Sequence, residues 1–334
     1  MSRTGEDMLD GYKRIIDYLR ISVTDRCNFR CKYCMPSQGI QLLNSQEILS
    51  YEELLRIITV LGQHGVSKIR ITGGEPLLRS GIVDFLSRIR KIDAIQDLSM
   101  TTNGSLLSQN HMAQRLKQAG LDRINISMDT TNSMRFAYIT GQGQLQQVLA
   151  GVESALEAGL YPVKLNVVVT EALSDSDISY FINQVYQHPI AIRFIEYMPI
   201  GEKTIGQKVS IAMVKNRVEL QGQGILEPVM NIEGNGPARY YRLPGAQGMF
   251  GFITPMSEHF CHSCNRVRLT ADGKIKSCLL SNHEVDIKAL LRGGCDDEDI
   301  YRLFAKALEI KQLQHSLGYE DQFSVRRPMV RVGG

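Results

Sequence analysis

Apolar strand-like runs and amphipathic helical stretches alternate along the first 200 residues of this 334-residue chain, and that rhythm most restricts its fold. Residues 19–24 and 67–72 read as strands by their alternation. Between them, residues 51–65 set Leu54, Leu55, Ile58 and Leu61 at helical spacing. The pattern repeats as helix 82–92 and strand 97–102, then helix 110–120 and strand 123–128. Helix 145–159 precedes strand 163–169, and helix 175–187 precedes strand 190–196. Short connections and strands rich in Ile and Val predict a parallel sheet covered by helices. Six strands fall short of the eight, in about 250 residues, that close a full barrel. The expected fold is α/β, an incomplete (β/α)6 barrel of TIM type.

After residue 200 the rhythm fails and Gly, Gln and Pro become frequent. Residues 228–230, 238–243 and 248–254 read as short strands, 284–292 and 297–310 as helices, and a basic tail follows. A boundary near 200–225 predicts two parts, a partial barrel over residues 1–210 and an α+β extension over 211–334. With 43% hydrophobic and 22% charged residues, the chain can bury a sizeable core. A net charge of +3 is too mild for a nucleic-acid-binding surface, which needs clustered basic charge. It suits an anionic small molecule held by a few local arginines. No stretch of about 18 apolar residues could span a membrane, and the first residues lack the apolar core of a signal peptide. Six of the seven cysteines fall in two compact groups, which argues against a disulfide framework. The expected setting is reducing and cytoplasmic.

The first group is Cys27, Cys31 and Cys34, spaced C-x3-C-x2-C directly after the first strand. Structural zinc wants four ligands, usually two pairs from separate turns. A tight trio suits a [4Fe–4S] cube with three irons capped by thiolate and one left open for a small molecule. The second strand ends in Thr72-Gly73-Gly74-Glu75-Pro76, where paired glycines let backbone approach a ligand and Glu75 can hold an ammonium. Alone, the same run fits a tight turn with Glu75 at a helix start. The third strand ends in residues 100–104 and the fourth in 126–129, putting polar side chains at the same carboxyl-end rim where barrel enzymes gather function; alone, each fits a strand terminus satisfying backbone groups. Lys164 stands in an otherwise largely apolar strand and calls for an anionic partner or a solvated edge. Met198, after the sixth strand, fits either core packing or contact with an adenine or ribose.

The second group is Cys261 and Cys264 at C-x2-C spacing, with Cys278 further on. From spacing alone, zinc completed by His259, His262 or His283 and an iron–sulfur cube are equally open. Arg266 and Arg268 follow at i, i+2 and share one face of a strand, either a solvated face or one whose guanidinium forks suit a triphosphate. Cys295 lies outside both groups and reads as structural.

The first trio, with Tyr33 in the aromatic slot, and the Gly-Gly-Glu-Pro run resemble the signatures of radical S-adenosylmethionine (SAM) enzymes. With the second trio, the chain resembles the radical SAM GTP 3′,8-cyclases, the MoaA family of molybdenum-cofactor biosynthesis. The likeness runs through Arg20-Ile-Ser-Val-Thr-Asp-Arg-Cys27, residues 68–76, 193–199 and 260–268, and Gly333-Gly334. The resemblance implies two [4Fe–4S] clusters, one on Cys27, Cys31 and Cys34 and an auxiliary one on Cys261, Cys264 and Cys278. It implies SAM contacts from Tyr33, Gly74, Glu75, Ser127 and Met198. GTP would be held by Arg20, Arg70, Thr101, Lys164 and the segment Arg266-Val267-Arg268, with the Gly-Gly tail reaching into the site. Arg326, Arg327 and Arg331 are further candidates that the sequence does not place.

The activity implied is abstraction of hydrogen from C3′ of the GTP ribose by a 5′-deoxyadenosyl radical, attack on C8 of guanine, and reduction of the aminyl radical formed. A homodimer, an electron donor of flavodoxin or ferredoxin type, and cyclic pyranopterin monophosphate synthase as the next enzyme are implied too. Two other readings carry different expectations. A radical SAM peptide- or tetrapyrrole-modifying enzyme with an auxiliary cluster is expected to lack the Arg266–Arg268 pair joined to a Gly-Gly tail. An electron carrier or zinc-stabilised binding module would neither bind nor cleave SAM.

Overall fold

A computed structural model describes residues 8–36, 38–200, 209–230, 236–315, 325 and 327–333. Six strands, β1 (Tyr18–Ser22), β2 (Lys68–Thr72), β3 (Asp97–Thr102), β4 (Arg123–Ser127), β5 (Lys164–Val169) and β6 (Ala191–Glu196), lie in sequential parallel order. The intervening helices are α1 (Tyr51–Gln63), α2 (Ile82–Arg90), α3 (Met112–Gln118), α4 (Ser133–Thr140), α5 (Leu145–Glu157) and α6 (Asp175–Gln187). Strong local signals fix their ends. Ser50 with Glu53, and Ser174 with Asp177, form capping boxes at the starts of α1 and α6. Their apolar stripes then cover the sheet, burying Leu54, Ile57, Ile58 and Leu61 in α1 and Ile178, Phe181, Ile182 and Val185 in α6.

The later chain adds α7 (Ile211–Gln221), β7 (Glu227–Val229), β8 (Arg239–Arg242), β9 (Met249–Ile253), β10 (Arg266–Leu269), β11 (Lys274–Lys276) and β12 (Val285–Asp286). Helices α8 (Ile287–Arg292), α9 (Asp297–Glu309) and α10 (Met329–Val332) complete it. These strands extend the barrel sheet at both ends. Strand β9 pairs parallel with β6, and β10 pairs parallel with β1, so eight parallel strands stand in a row. Antiparallel β8 and β7 flank one end and β11 and β12 the other, giving one 12-stranded sheet with open edges. The incomplete α/β barrel is therefore present, with its two edges occupied by strands from the C-terminal half.

Register across β10, β1 and β2 has a direct consequence for the site. Arg268 pairs with Arg20, and Arg20 with Arg70, so three guanidiniums form one row across neighbouring strands. Two further rows bring Asn125 beside Lys164 and Asn166 beside Arg193. Among the described residues, no helix is long and apolar enough to cross a membrane.

Candidate active site

Two spaces lie in the sheet interior and share a wall at Thr101, Asn166, Ile195, Met198 and Met329. One contains all three cysteines of the first group together with Tyr33, Gly74 and Ser127. The other contains Cys261, Cys264 and Cys278 with Arg20, Arg70, Arg266 and Arg268. Cysteines from opposite ends of the sequence, Cys27 and Cys261 among them, thus face two halves of one hollow.

The loop bearing Cys27 is held from several sides. Arg30 N–H donates to Thr140 O (2.7 Å) and Lys32 N–H to Ile139 O (3.0 Å), so α4 carries the loop on its C-terminal end. Cys34 N–H turns back to Cys31 O (2.9 Å). Asn103 Nδ2 donates to Asn28 Oδ1 (2.8 Å), and Asn28 Nδ2 donates to Ser105 Oγ (2.9 Å), tying the loop to the end of β3. Gly74 runs so close to this loop that a Cβ there would lie 2.3 Å from Arg26 O. Tyr33 Oη donates to Asp129 Oδ2 (2.8 Å), whose other oxygen accepts from Val168 N–H (2.9 Å). Burial raises the Asp129 carboxyl to about 6, against the pull of the Val168 N–H and the Tyr33 hydroxyl.

Glu75 is fully buried behind the wall of this space. Its carboxylate accepts from Thr102 Oγ1 (2.7 Å), Asn103 N–H (2.7 Å) and Leu77 N–H (3.1 Å). Burial pushes its pKa up to about 7, with the Asn103, Thr102 and Leu77 donors acting in the opposite sense. The geometry therefore gives Glu75 a bracing task at the head of the third strand's loop.

The second space is strongly cationic. Arg70, Arg193 and Arg268 are 6%, 4% and 6% exposed, and Lys164, at 2%, lies outside the cavity lining. Burial, and then Arg193, Arg123 and Arg70, lower the Lys164 ammonium to about 6. Burial and then Arg266 bring Arg268 down to about 10. Burial and Arg268 lower Arg20 as well. The carboxylate that acts on Lys164 and Arg70 is Asp97, which is itself ion-paired with Arg123. Desolvated cations gathered at such close quarters favour an incoming anion. Arg193, whose guanidinium grips Asn166 Oδ1 (2.9 and 2.5 Å), and Asn166 itself were not singled out from sequence. The signal that marks Lys164, a charge inside an apolar strand, is equally present at Arg193. Val267, fully buried, falls on the opposite strand face from Arg266 and Arg268.

Donor spacing tests whether each trio fits a cluster. Zinc bonded to sulfur at about 2.3 Å in a tetrahedron sets sulfurs about 3.8 Å apart. Among the described residues, His259, Cys261 and His315 form the group of three ligand atoms within 4.8 Å of one another, and neither cysteine trio is drawn in so far. His262 and His283 are not in that group, so no Cys3His zinc set is assembled there. All six thiols are free and partly accessible. Wider trios of free thiols in roomy cavities fit a cubane better than a single ion.

The C-terminal segment also meets the hollow. Val330 N–H donates to Cys34 O (3.3 Å), Arg268 donates to Gly333 O (2.8 Å), and a Cβ on Gly333 would lie 2.2 Å from Thr72 Oγ1. Arg327 is ion-paired with Asp272 (2.9 Å) and Glu284 (2.7 Å), and Arg331 donates to Gln41 O. Arg326 and Gly334 lie outside the described residues. Cys295 is remote from both trios, against Arg56.

A barrel with a C-x3-C-x2-C loop at its rim, joined to a second cysteine trio, defines a radical SAM enzyme. The Radical SAM superfamily model matches residues 21–185, and the Molybdenum Cofactor Synthesis C model matches residues 190–317. A GTP 3′,8-cyclase of Heliobacterium modesticaldum is 46% identical over 98% of this chain and 100% of its own length. One from Thermodesulfovibrio yellowstonii shows the same identity and coverage. The chain belongs to the GTP 3′,8-cyclase family. Streptococcus suis SuiB shares the fold, with a TM-score of 0.63 at 14% identity over 90% of this chain and 68% of that one.

Proposed function

We propose that this chain converts GTP to 3′,8-cyclo-7,8-dihydro-GTP, the first step of molybdenum-cofactor biosynthesis. The observation that carries the reading is the pair of adjoining spaces, each with a cysteine trio, meeting at Thr101, Asn166 and Met198. Cys27, Cys31 and Cys34 would hold one [4Fe–4S] cluster, and Cys261, Cys264 and Cys278 the auxiliary one. When bound, the first cluster and SAM together supply a 5′-deoxyadenosyl radical by reductive cleavage of the sulfonium.

The chain's own residues do the positioning. Tyr33, Gly74, Ser127 and Met198 bound the SAM space, while Glu75 holds the Thr102 hydroxyl and the Asn103 N–H behind it. Arg20, Arg70, Arg193, Arg266 and Arg268 line the space and clamp the triphosphate, and Lys164, outside the lining, gains its charge as the anion binds. Charge-assisted forks of this kind suit phosphate oxygens. The second trio sits at the other end of the same space and receives the purine, so that ribose and base are held at both ends. Joining two atoms of one nucleotide is above all a problem of orientation. The half-buried side chains of Thr101, Ile195 and Met198 line this space, where the reacting carbon would lie.

A homodimer and an electron donor of flavodoxin or ferredoxin type complete the proposal, with cyclic pyranopterin monophosphate synthase consuming the product. GTP carrying deuterium at C3′ tests the chemistry. One deuterium is expected in the 5′-deoxyadenosine released; deuterium retained wholly in the nucleotide would overturn abstraction at C3′.

A further inference from the structure

Lys311 follows α9 and is 3% exposed, yet none of the roles above uses it. Its ammonium donates to Ser277 O (2.5 Å) and to Arg266 O (3.0 Å) and stands 3.5 Å from Cys264 Sγ. Ser277 precedes Cys278, and Arg266 lies two residues after Cys264. One cation therefore joins both chain segments that carry the second trio. Among the described residues, no carboxylate pairs with it. A buried ammonium is expensive without a negative partner, and the group within reach is the Cys264 sulfur, which as a cluster ligand would carry negative charge.

The contacts to sulfur differ between the two trios. In the first, Cys27 Sγ accepts from Phe29 N–H (3.4 Å) and lies 4.0 Å from Asn103 Nδ2, and among the described residues no lysine hydrogen-bonds to a sulfur of that trio. Charge and hydrogen bonds at cluster sulfurs are among the protein's main means of setting a cluster's reduction potential.

We propose that Lys311 is a positioning residue that makes the auxiliary cluster easier to reduce, by an N–H···S contact to Cys264 and by tying the Cys264 and Cys278 segments together. The proposal rests on the auxiliary-cluster reading of Cys261, Cys264 and Cys278. A fixed positive charge beside the sulfur stabilises the state carrying the extra electron. Its retention in a buried position without a carboxylate then has a physical reason.

The test uses the full chain with Cys27, Cys31 and Cys34 replaced by alanine, so that only the auxiliary cluster assembles. Lys311, Lys311→Gln, Lys311→Met and Lys311→Arg forms are reconstituted anaerobically, assayed for iron, and titrated potentiometrically with EPR detection. At a fixed potential, Lys311→Gln is expected to show at least a tenfold lower ratio of reduced to oxidised cluster, equivalent to 59 mV for one electron. Lys311→Arg should stay within threefold of the lysine form. Equal iron with an unchanged potential in Lys311→Gln would overturn the proposal. Loss of the cluster from both uncharged variants, with Lys311→Arg keeping it at its original potential, supports the requirement for charge. Loss from Lys311→Arg as well overturns it in favour of side-chain shape. Failure of the lysine form itself to bind iron would instead overturn the auxiliary-cluster reading beneath it.

Discussion

Replacing Arg266 and Arg268 together by alanine is expected to lower cyclisation of GTP at least a hundredfold, with iron content and dithionite-driven cleavage of SAM intact. Strand register sets Arg268 beside Arg20 and Arg20 beside Arg70, so the pair completes a cationic row. A hydrogen bond to a charged group contributes about 1.5–3 kcal/mol. Removing two such hydrogen bonds costs about 3–6 kcal/mol, or about two to four decades in transition-state stabilisation. Arg268 also donates to Gly333 O, so its removal frees the glycine that presses against Thr72. Calorimetry with GTP alongside product assay separates binding from chemistry. GTP affinity within threefold of the unaltered protein would sink the clamp.

The Gly74→Ala substitution is expected to abolish SAM cleavage and to lower the melting temperature of the metal-free protein. The added methyl would lie 2.3 Å from Arg26 O and 2.7 Å from the Arg26 carbonyl carbon. Backbone cannot rotate aside as a flexible side-chain end can, so the loop entering Cys27 must move. Overpacking of this kind costs about 1–3 kcal/mol. A displacement of a reacting group by about 1 Å costs about a hundredfold in rate. Gly245, with open space around its Cβ position, is the control. Its φ of +74° makes Gly245→Ala strained in backbone but remote from the cysteine loop. Normal SAM cleavage by Gly74→Ala, measured as 5′-deoxyadenosine released, would contradict the close-approach account.

The six barrel strands were legible because period-two apolar alternation survives wherever a strand faces helices on one side. Strand β3 and helix α6 fall where the pattern puts them, at Asp97–Thr102 and Asp175–Gln187. Helices α4 and α7 escaped notice for a physical reason. Met134 and Tyr138 in α4, and Met213 and Leu220 in α7, are exposed apolar residues that blur the stripe. The roles of β9 and β10 as outer parallel strands were also hidden, since pairing between residues so distant in sequence, such as Tyr18 with Arg266, leaves no local mark.

The site divides along the same line. Cysteine spacing and the Gly-Gly-Glu-Pro run are local, and so is the incongruity of Lys164 in an apolar strand. Arg193, Asn166 and Asp129 gain their meaning from register and from partners on other strands. Glu75 is legible from the Gly-Gly-Glu-Pro run, while its three protein donors, Leu77, Thr102 and Asn103, become visible only in the fold. Lys311 lies nearest the reverse case, a residue whose surroundings are visible only once the chain has closed.

The most direct measurement is anaerobic. The chain is reconstituted with iron and sulfide, given dithionite, SAM and GTP, and its products are followed by mass spectrometry. The account predicts about eight irons per chain, as two cubane clusters require, and 5′-deoxyadenosine together with a nucleotide isomer of GTP mass. Full iron loading with 5′-deoxyadenosine released but GTP unchanged would contradict it.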